Sequence, residues 1–322
     1  MHMDLTICRK FLETVEKYNS KIAISHCRNK TWLDLTWFDY RDRVANFAAG
    51  LHTLGVQTAD RVAILANTRP EWAISDMAIL SQSAITVPLY PTSTIEDVQF
   101  ILNNSKAELL IVDNIRTIEK LRKLDPADFS FVKNVICIEL SPDQLDRLPN
   151  RHFGLYSFDE ISQNGAKFLR HHPSFFSDKC CEVKLQDHAS IIYTSGTTGT
   201  PKGVVLTHAQ IMSEVGDAFP LLGVTNRDRT LTFLPFAHVL GRIELWGHVF
   251  IGYHMAYAEG VERVRENLQI IKPTILVSVP RIFEKIYNTI LVQAEISPVQ
   301  NKIFTWAIDI GRQVSHYKIR KE

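Results

Sequence analysis

Eleven consecutive residues, Tyr193-Thr-Ser-Gly-Thr-Thr-Gly-Thr-Pro-Lys-Gly203, hold three glycines, six hydroxyl side chains and one lysine. That combination suits a polyphosphate. Gly196, Gly199 and Gly203 let the backbone approach an anion and turn amides toward it. Ser195, Thr197 and Thr198 add hydroxyl donors, and Lys202 adds a point charge. A flexible Gly/Ser/Thr linker has a similar composition. Here, however, the apolar run Ala189 to Tyr193 precedes the segment, and Pro201-Lys202-Gly203 leads into a second run, Val204 to Leu206. That pattern predicts a loop between structured elements, the first of them a buried strand. The loop is not a Walker motif. G-x-x-x-x-G-K-[ST] is required there, whereas Pro201 precedes this lysine and Gly203 follows it.

A second candidate is His238, in Leu234-Pro-Phe-Ala-His-Val239. An imidazole can orient a carboxylate, neutral or charged. By position alone it reads more readily as an ordinary histidine at a strand end. Arg281 can contact a carboxylate or cap a helix. Trp246, in the aromatic stretch Leu245 to Tyr253, can line an apolar cavity or belong to plain core. Trp72 reads as packing.

The glycine-rich loop resembles the phosphate-binding motif of the AMP-forming acyl- and aryl-CoA synthetases, the adenylate-forming superfamily. Four further segments resemble its long-chain fatty acyl-CoA synthetase branch: Asn67-Thr-Arg-Pro-Glu-Trp72, Ile85-Thr-Val-Pro-Leu-Tyr-Pro-Thr92, Leu234 to Val239, and Val279-Pro-Arg-Ile-Phe-Glu-Lys-Ile-Tyr287. Two positions depart from that pattern. Ser83 stands where glycine is usual, and Gly241-Arg242 stands where Glu-Arg is common.

The resemblance implies ATP-dependent activation of a long-chain fatty acid to an acyl-adenylate, then to acyl-CoA. It implies ATP, Mg²⁺ and coenzyme A as cofactors. It places Thr194, Ser195, Gly196, Thr197, Thr198, Gly199 and Lys202 on the β and γ phosphates. It places His238 beside the acyl carboxylate and the α-phosphate, and it assigns no metal ligand in this chain. Members also carry a Tyr-Gly-x-Thr-Glu motif, a ribose-binding aspartate and a small C-terminal domain with a catalytic lysine. None of these occurs in the 322 residues. The resemblance therefore implies the N-terminal part of a ligase, incomplete at its C-terminus and not competent alone. Exposed apolar surface then leaves room for a homodimer. Two alternatives stay open: another acid or acceptor, and a non-catalytic nucleotide- or acyl-binding chain.

Bulk properties agree with a soluble globular protein: 45% hydrophobic, 22% charged, net charge +1. That balance gives no electrostatic case for nucleic acid. No run of 18 apolar residues predicts a membrane span, and Met1 to Ile24 lacks the apolar core of a secretory signal. A lipid substrate leaves room for peripheral membrane contact, although no polybasic amphipathic helix supports it. Cys8, Cys27, Cys137, Cys180 and Cys181 show no C-x-x-C spacing, which fits reduced thiols in a cytoplasmic setting. Twelve histidines show no zinc-binding spacing.

The elements that would position these residues alternate between strand and helix patterns, which predicts an α/β fold of layered subdomains. Trp37, Tyr40, Val44, Phe47, Ala48 and Leu51 recur at helical spacing, and Gly55 closes that helix. Strands are expected at 61–66, 109–112, 135–138, 230–234 and 274–277. Asn67 or Thr68 is the expected cap of a helix opened by Pro70. Further helices are expected from about Thr207, from Pro280 and near Ser297-Pro298. The irregular stretch 143–184 suggests a division into 1–183 and 184–322, the second part carrying the phosphate loop.

Overall fold

A computed structural model describes residues 5–121, 131–141, 144, 153–194, 200–295 and 297–319. Its strands, in chain order, are β1 (Ile22–Arg28), β2 (Thr31–Thr36), β3 (Arg61–Leu65), β4 (Ile85–Leu89), β5 (Leu109–Asn114), β6 (Asn134–Glu139), β7 (Gly154–Ser157), β8 (His188–Thr194), β9 (Lys202–Thr207), β10 (Arg229–Thr232) and β11 (His254–Tyr257). They form two sheets. The larger runs β7-β6-β5-β3-β4-β8-β9 and the smaller runs β10-β11-β1-β2. Each sheet draws strands from both sides of residue 184. The larger sheet is parallel except for β9, which returns antiparallel to β8. The fold is layered α/β, as the alternation of patterns predicts.

The central strands are continuous apolar runs because helices cover both faces of a parallel sheet. Val62, Ala63 and Ile64 of β3 and Leu110, Ile111 and Val112 of β5 have no exposed surface. Helix Trp37–Thr53 starts at a capping box, with Thr36 and Asp39 satisfying each other's backbone amides. Gly55, at φ +99, follows its C-terminal end. Helix Phe158–Leu169 crosses that helix so closely that a Cβ on Gly165 would lie 1.8 Å from the carbonyl oxygen of Asn46. Glycine is what permits the approach.

Two local expectations differ. Helix Pro70–Ser81 has Arg69 at its N-cap with no side-chain cap. Asn67 and Thr68 make longer-range bonds instead: Asn67 donates from N and Nδ2 to Asp113, and the Thr68 hydroxyl donates to the carbonyl of Leu234. The stretch 274–277 is not a strand; Ile275 makes only an isolated bridge to Thr230. The apolar residues Val204 and Val205 of β9 are 47% and 41% exposed, because β9 is the sheet edge.

The chain divides into two compact units, Met1–Leu276 and Val277–Glu322. Within the second, helices Pro280–Glu295 and Pro298–Ile319 pack with the rings of Tyr287 and Phe304 5.9 Å apart. Among the described residues no helix is long and apolar enough to cross a membrane.

Candidate functional site

The phosphate-loop candidate is the tip of the β8–β9 hairpin. Thr194 pairs with Lys202, and Tyr193 with Gly203, so these residues close the base of the loop. Ser195, Gly196, Thr197, Thr198 and Gly199 lie outside the described residues. Thr194 and Lys202 are both exposed at the mouth. Below them Tyr193 is 8% exposed and donates its hydroxyl to Oδ1 of Asn104 at 2.6 Å. That bond ties the loop base to helix Ile95–Ser105. Burial also raises the Tyr193 pKa, keeping the phenol a donor. Gly203 packs over this strand: a Cβ there would lie 2.9 Å from Cγ2 of Ile191 and 3.1 Å from the Tyr193 ring.

His238 is exposed and forms the N-cap of helix Val239–Ile251. Its Nδ1 accepts from the amide of Leu240 at 3.2 Å, which leaves Nε2 as the free edge of the ring. A tight turn precedes it, with the His238 amide donating to Pro235 at 2.9 Å. The turn is fastened from beneath. Phe236 meets the Trp72 ring edge-on at 5.1 Å, and Thr68 holds the Leu234 carbonyl at 2.7 Å.

One turn further on, Arg242 is fully buried. Its Nη1 lies 2.7 Å from Oδ2 of Asp76, and its guanidinium sits between the rings of Trp72, at 4.8 Å, and Trp246, at 4.4 Å. A cation close over two indole faces is a setting that suits arginine. Trp246 is thus core. Asp76 is itself buried and accepts from the Thr86 hydroxyl at 2.7 Å. The sequence singled out none of Asp76, Thr86 or Glu244. A carboxylate inside an apolar helix pattern carried the only signal for Asp76.

Glu244, on the same helix, accepts from the hydroxyls of Thr230 and Thr232 at 2.7 and 2.9 Å. Burial pushes its pKa up to about 7 despite those donors. His248 is driven the other way. Burial lowers it to about 3, while Nε2 sits 3.0 Å from the Ala23 carbonyl and the ring stacks on Trp37 at 4.6 Å. Two further polar arrangements offer no reactive group. The Ser25 hydroxyl donates to Asp34 and lies 2.7 Å from Nε2 of His254, so its proton is held by the carboxylate and it is no nucleophile. The crevice between the carboxyl ends of β3 and β5, where open α/β sheets take ligands, is bridged by Asn67, Asp113 and the Arg69–Glu139 pair.

The AMP-binding enzyme family model matches residues 11–307. The chain belongs to that family. It is 36% identical over 262 residues to the long-chain-fatty-acid–CoA ligase FadD15 of Mycobacterium bovis, covering 80% of this chain and 41% of the relative. It is 29% identical over 326 residues to ACSBG2, a long-chain-fatty-acid–CoA ligase of Rattus norvegicus, covering 98% of this chain and 47% of the relative. The chain thus spans somewhat under half the length of these relatives. Among solved structures, the adenylation domain of a carboxylate reductase from Mycobacterium chelonae superposes with a TM-score of 0.77 at 19% identity, over 91% of this chain and 48% of that one. FadD1, a long-chain-fatty-acid–CoA ligase from Archaeoglobus fulgidus, gives 0.69 at 20% identity, over 84% and 50%. At those identities the likeness is one of fold.

Within this AMP-binding fold the two sequence departures have local readings. Ser83 adopts φ +52, the left-handed region that favours glycine. At Gly241 a Cβ would lie 2.5 Å from the Pro235 carbonyl oxygen, so the tight turn before His238 needs glycine there.

Proposed function

We propose that this AMP-binding chain is the N-terminal part of an enzyme that activates a long-chain fatty acid with ATP and passes it to coenzyme A. The observation that carries the reading is the combination of the hairpin loop with ligase relatives that match across 80–98% of the chain. A carboxylate oxygen attacks the α-phosphorus of ATP. The bond to the leaving pyrophosphate breaks, and an acyl-adenylate remains. A thiol sulfur then attacks the acyl carbon, AMP departs with the electron pair, and the thiol proton is released.

In this reading the residues 194–199 and Lys202 neutralise charge growing on pyrophosphate. Thr194 and Lys202 face one another across the hairpin mouth, so both reach one phosphate group. His238 presents Nε2 to the carboxylate, its other nitrogen being engaged by the Leu240 amide. Mg²⁺ would accompany the nucleotide as part of the substrate and would offset charge on its phosphates. A cytoplasmic location belongs to the same proposal.

The test is ATP–pyrophosphate exchange with palmitate, run on this chain, on Lys202→Ala and on a longer chain carrying the downstream motifs. Exchange by the longer chain that Lys202→Ala abolishes is the expected result. Exchange by the 322-residue chain itself would overturn its expected incompetence. No exchange by any form would favour another acid.

A further inference from the structure

The two halves of the candidate site, His238 and the phosphate-loop hairpin, lie on different elements of one compact unit, and a continuous series of contacts joins them. Arg242 donates its amide to the His238 carbonyl at 3.0 Å. Its guanidinium reaches Asp76 at 2.7 Å. The other oxygen of Asp76 accepts from the Thr86 hydroxyl at 2.7 Å. The Thr86 carbonyl accepts from the Ser190 hydroxyl at 3.0 Å, and the same two residues are register partners between β4 and β8. Ser190 lies four residues before Thr194, where the loop begins. Every side chain in this series is buried.

We infer that Asp76 and Arg242 are positioning residues, which fix the spacing between the His238 turn and the phosphate-loop strand. The inference rests on the ligase reading for its purpose, and on the contacts alone for its mechanics. A buried ion pair is a costly way to fill a core, because removing two ions from water offsets their attraction. It does hold geometry in a way apolar contacts do not. Arg242 makes one charged contact, the ion pair of Nη1 with Asp76, and among the described residues none of Nε, Nη1 and Nη2 has a hydrogen-bond partner. The side chain therefore cannot exchange one partner for another. Its direction is set by the Asp76 carboxylate and by the two indole faces. Asp76 in turn is anchored to β4, next to β8. A shift of either site element would break a contact that has no substitute.

The test uses the 322-residue chain with two variants. Thr86→Val removes one hydroxyl from the series and keeps the shape. Asp76→Leu/Arg242→Met replaces the ion pair with apolar side chains. Amide hydrogen exchange without ligand is the first readout. The positioning role predicts exchange faster by about tenfold in both 234–242 and 188–194, with β6 and β7 unchanged, in a chain that melts cooperatively. It predicts this even for Thr86→Val, whose side chain touches neither His238 nor Thr194. Loosening of only one segment, or restored protection in the double variant, would reduce the pair to packing and overturn the inference.

The second readout is the mutual effect of MgATP and palmitate on each other's affinity. The wild-type chain is expected to bind one more tightly in the presence of the other. The variants should bind each alone within about twofold of wild type while losing that mutual effect. Mutual effect preserved in the variants would sink the inference. If the wild-type chain binds neither ligand, the ligase reading fails for this chain, and the exchange readout still decides the mechanics.

Discussion

The hairpin carrying the phosphate loop and the helix carrying His238 solve the same problem in opposite ways. The hairpin leaves its chemistry at a solvent-facing edge: Thr194, Lys202, Gly203, Val204 and Val205 are all exposed, and the base is held by strand pairing and one tyrosine bond. The helix exposes His238 and Val239 at its tip and buries Arg242, Glu244 and His248 beneath them. On the proposed ligase reading, a group that must follow a departing pyrophosphate gains from freedom at low cost. A group that must hold one oxygen at one place gains from a rigid support. The difference predicts that substitutions under His238 cost stability, and those at the hairpin cost binding.

The largest expected effect is at Arg242. Arg242→Ala leaves the Asp76 carboxylate buried without its partner, and should destabilise by about 3–5 kcal/mol in urea unfolding. Asp76→Leu/Arg242→Met should recover most of that loss. If Arg242→Ala costs under about 1 kcal/mol, a value ordinary for surface positions, the helix is no more rigidly held than the hairpin and the comparison fails.

Next comes pH. Glu244 has a folded pKa near 7, against about 4.3 in an unfolded chain. Between those values the folded state holds more protons than the unfolded one. Stability from this group is therefore complete below about pH 4.3, falls as pH rises through the interval, and levels off above 7. His248 has the reverse sign. Its folded pKa near 3, against about 6.5 unfolded, means that stability is lost as pH falls from about 6.5 toward 3. His208, lowered to about 4 by burial, acts in the same direction. Glu244→Gln should thus stabilise the protein at pH 8, by on the order of 3 kcal/mol, and not at pH 4. Chemical denaturation at the two pH values checks this, and equal effects at both would mean Glu244 is ionised in the fold.

Much of the architecture was legible because it obeys short-range rules. The helix from Trp37 is visible in its apolar spacing and in Gly55. The strands at 61–65 and 109–114 are visible as apolar runs, and the helix His208–Leu221 begins where one is expected, from about Thr207. The site was legible only as a motif. What escaped was long-range. Asn67 and Thr68 look like caps, yet each serves a partner far along the chain, Asp113 and Leu234. Arg242 reads as the matching half of a motif that varies at Gly241, and its partner Asp76 precedes it by 166 positions. Pairing of β1 with β11 follows from no local pattern either, since a short strand near the N-terminus carries no mark of the strand it will meet.

Two glycines sharpen the comparison at a smaller scale. Gly241 faces backbone: an added Cβ would lie 2.5 Å from the Pro235 carbonyl oxygen. Gly203 faces side chains: its Cβ would lie 2.9 Å from the Cγ2 methyl of Ile191 and 3.1 Å from the Tyr193 ring, on side chains and not on backbone. Gly241→Ala should cost about 1–3 kcal/mol, as overpacking against fixed atoms does, and should disturb the His238 turn. Gly203→Ala should cost less. Thermal unfolding of the two variants side by side ranks them. The reverse order would mean that the turn yields and the hairpin does not.

The smallest effect, and the finest discrimination, belongs to Tyr193. Its hydroxyl donates to Oδ1 of Asn104, on helix Ile95–Ser105, at 2.6 Å. Tyr193→Phe removes that bond and keeps the ring under Gly203. Asn104 is exposed and can turn to water, so the loss should be about 1 kcal/mol at most. A hairpin that works through freedom should then tolerate the change in pyrophosphate affinity, because Thr194 and Lys202 keep their strand pairing. Isothermal titration with inorganic pyrophosphate reads this directly. A loss of affinity as large as that of Lys202→Ala, with unfolding nearly unchanged, would show that the loop base is held as strictly as the His238 turn. The contrast between the two regions would then be one of burial, not of freedom.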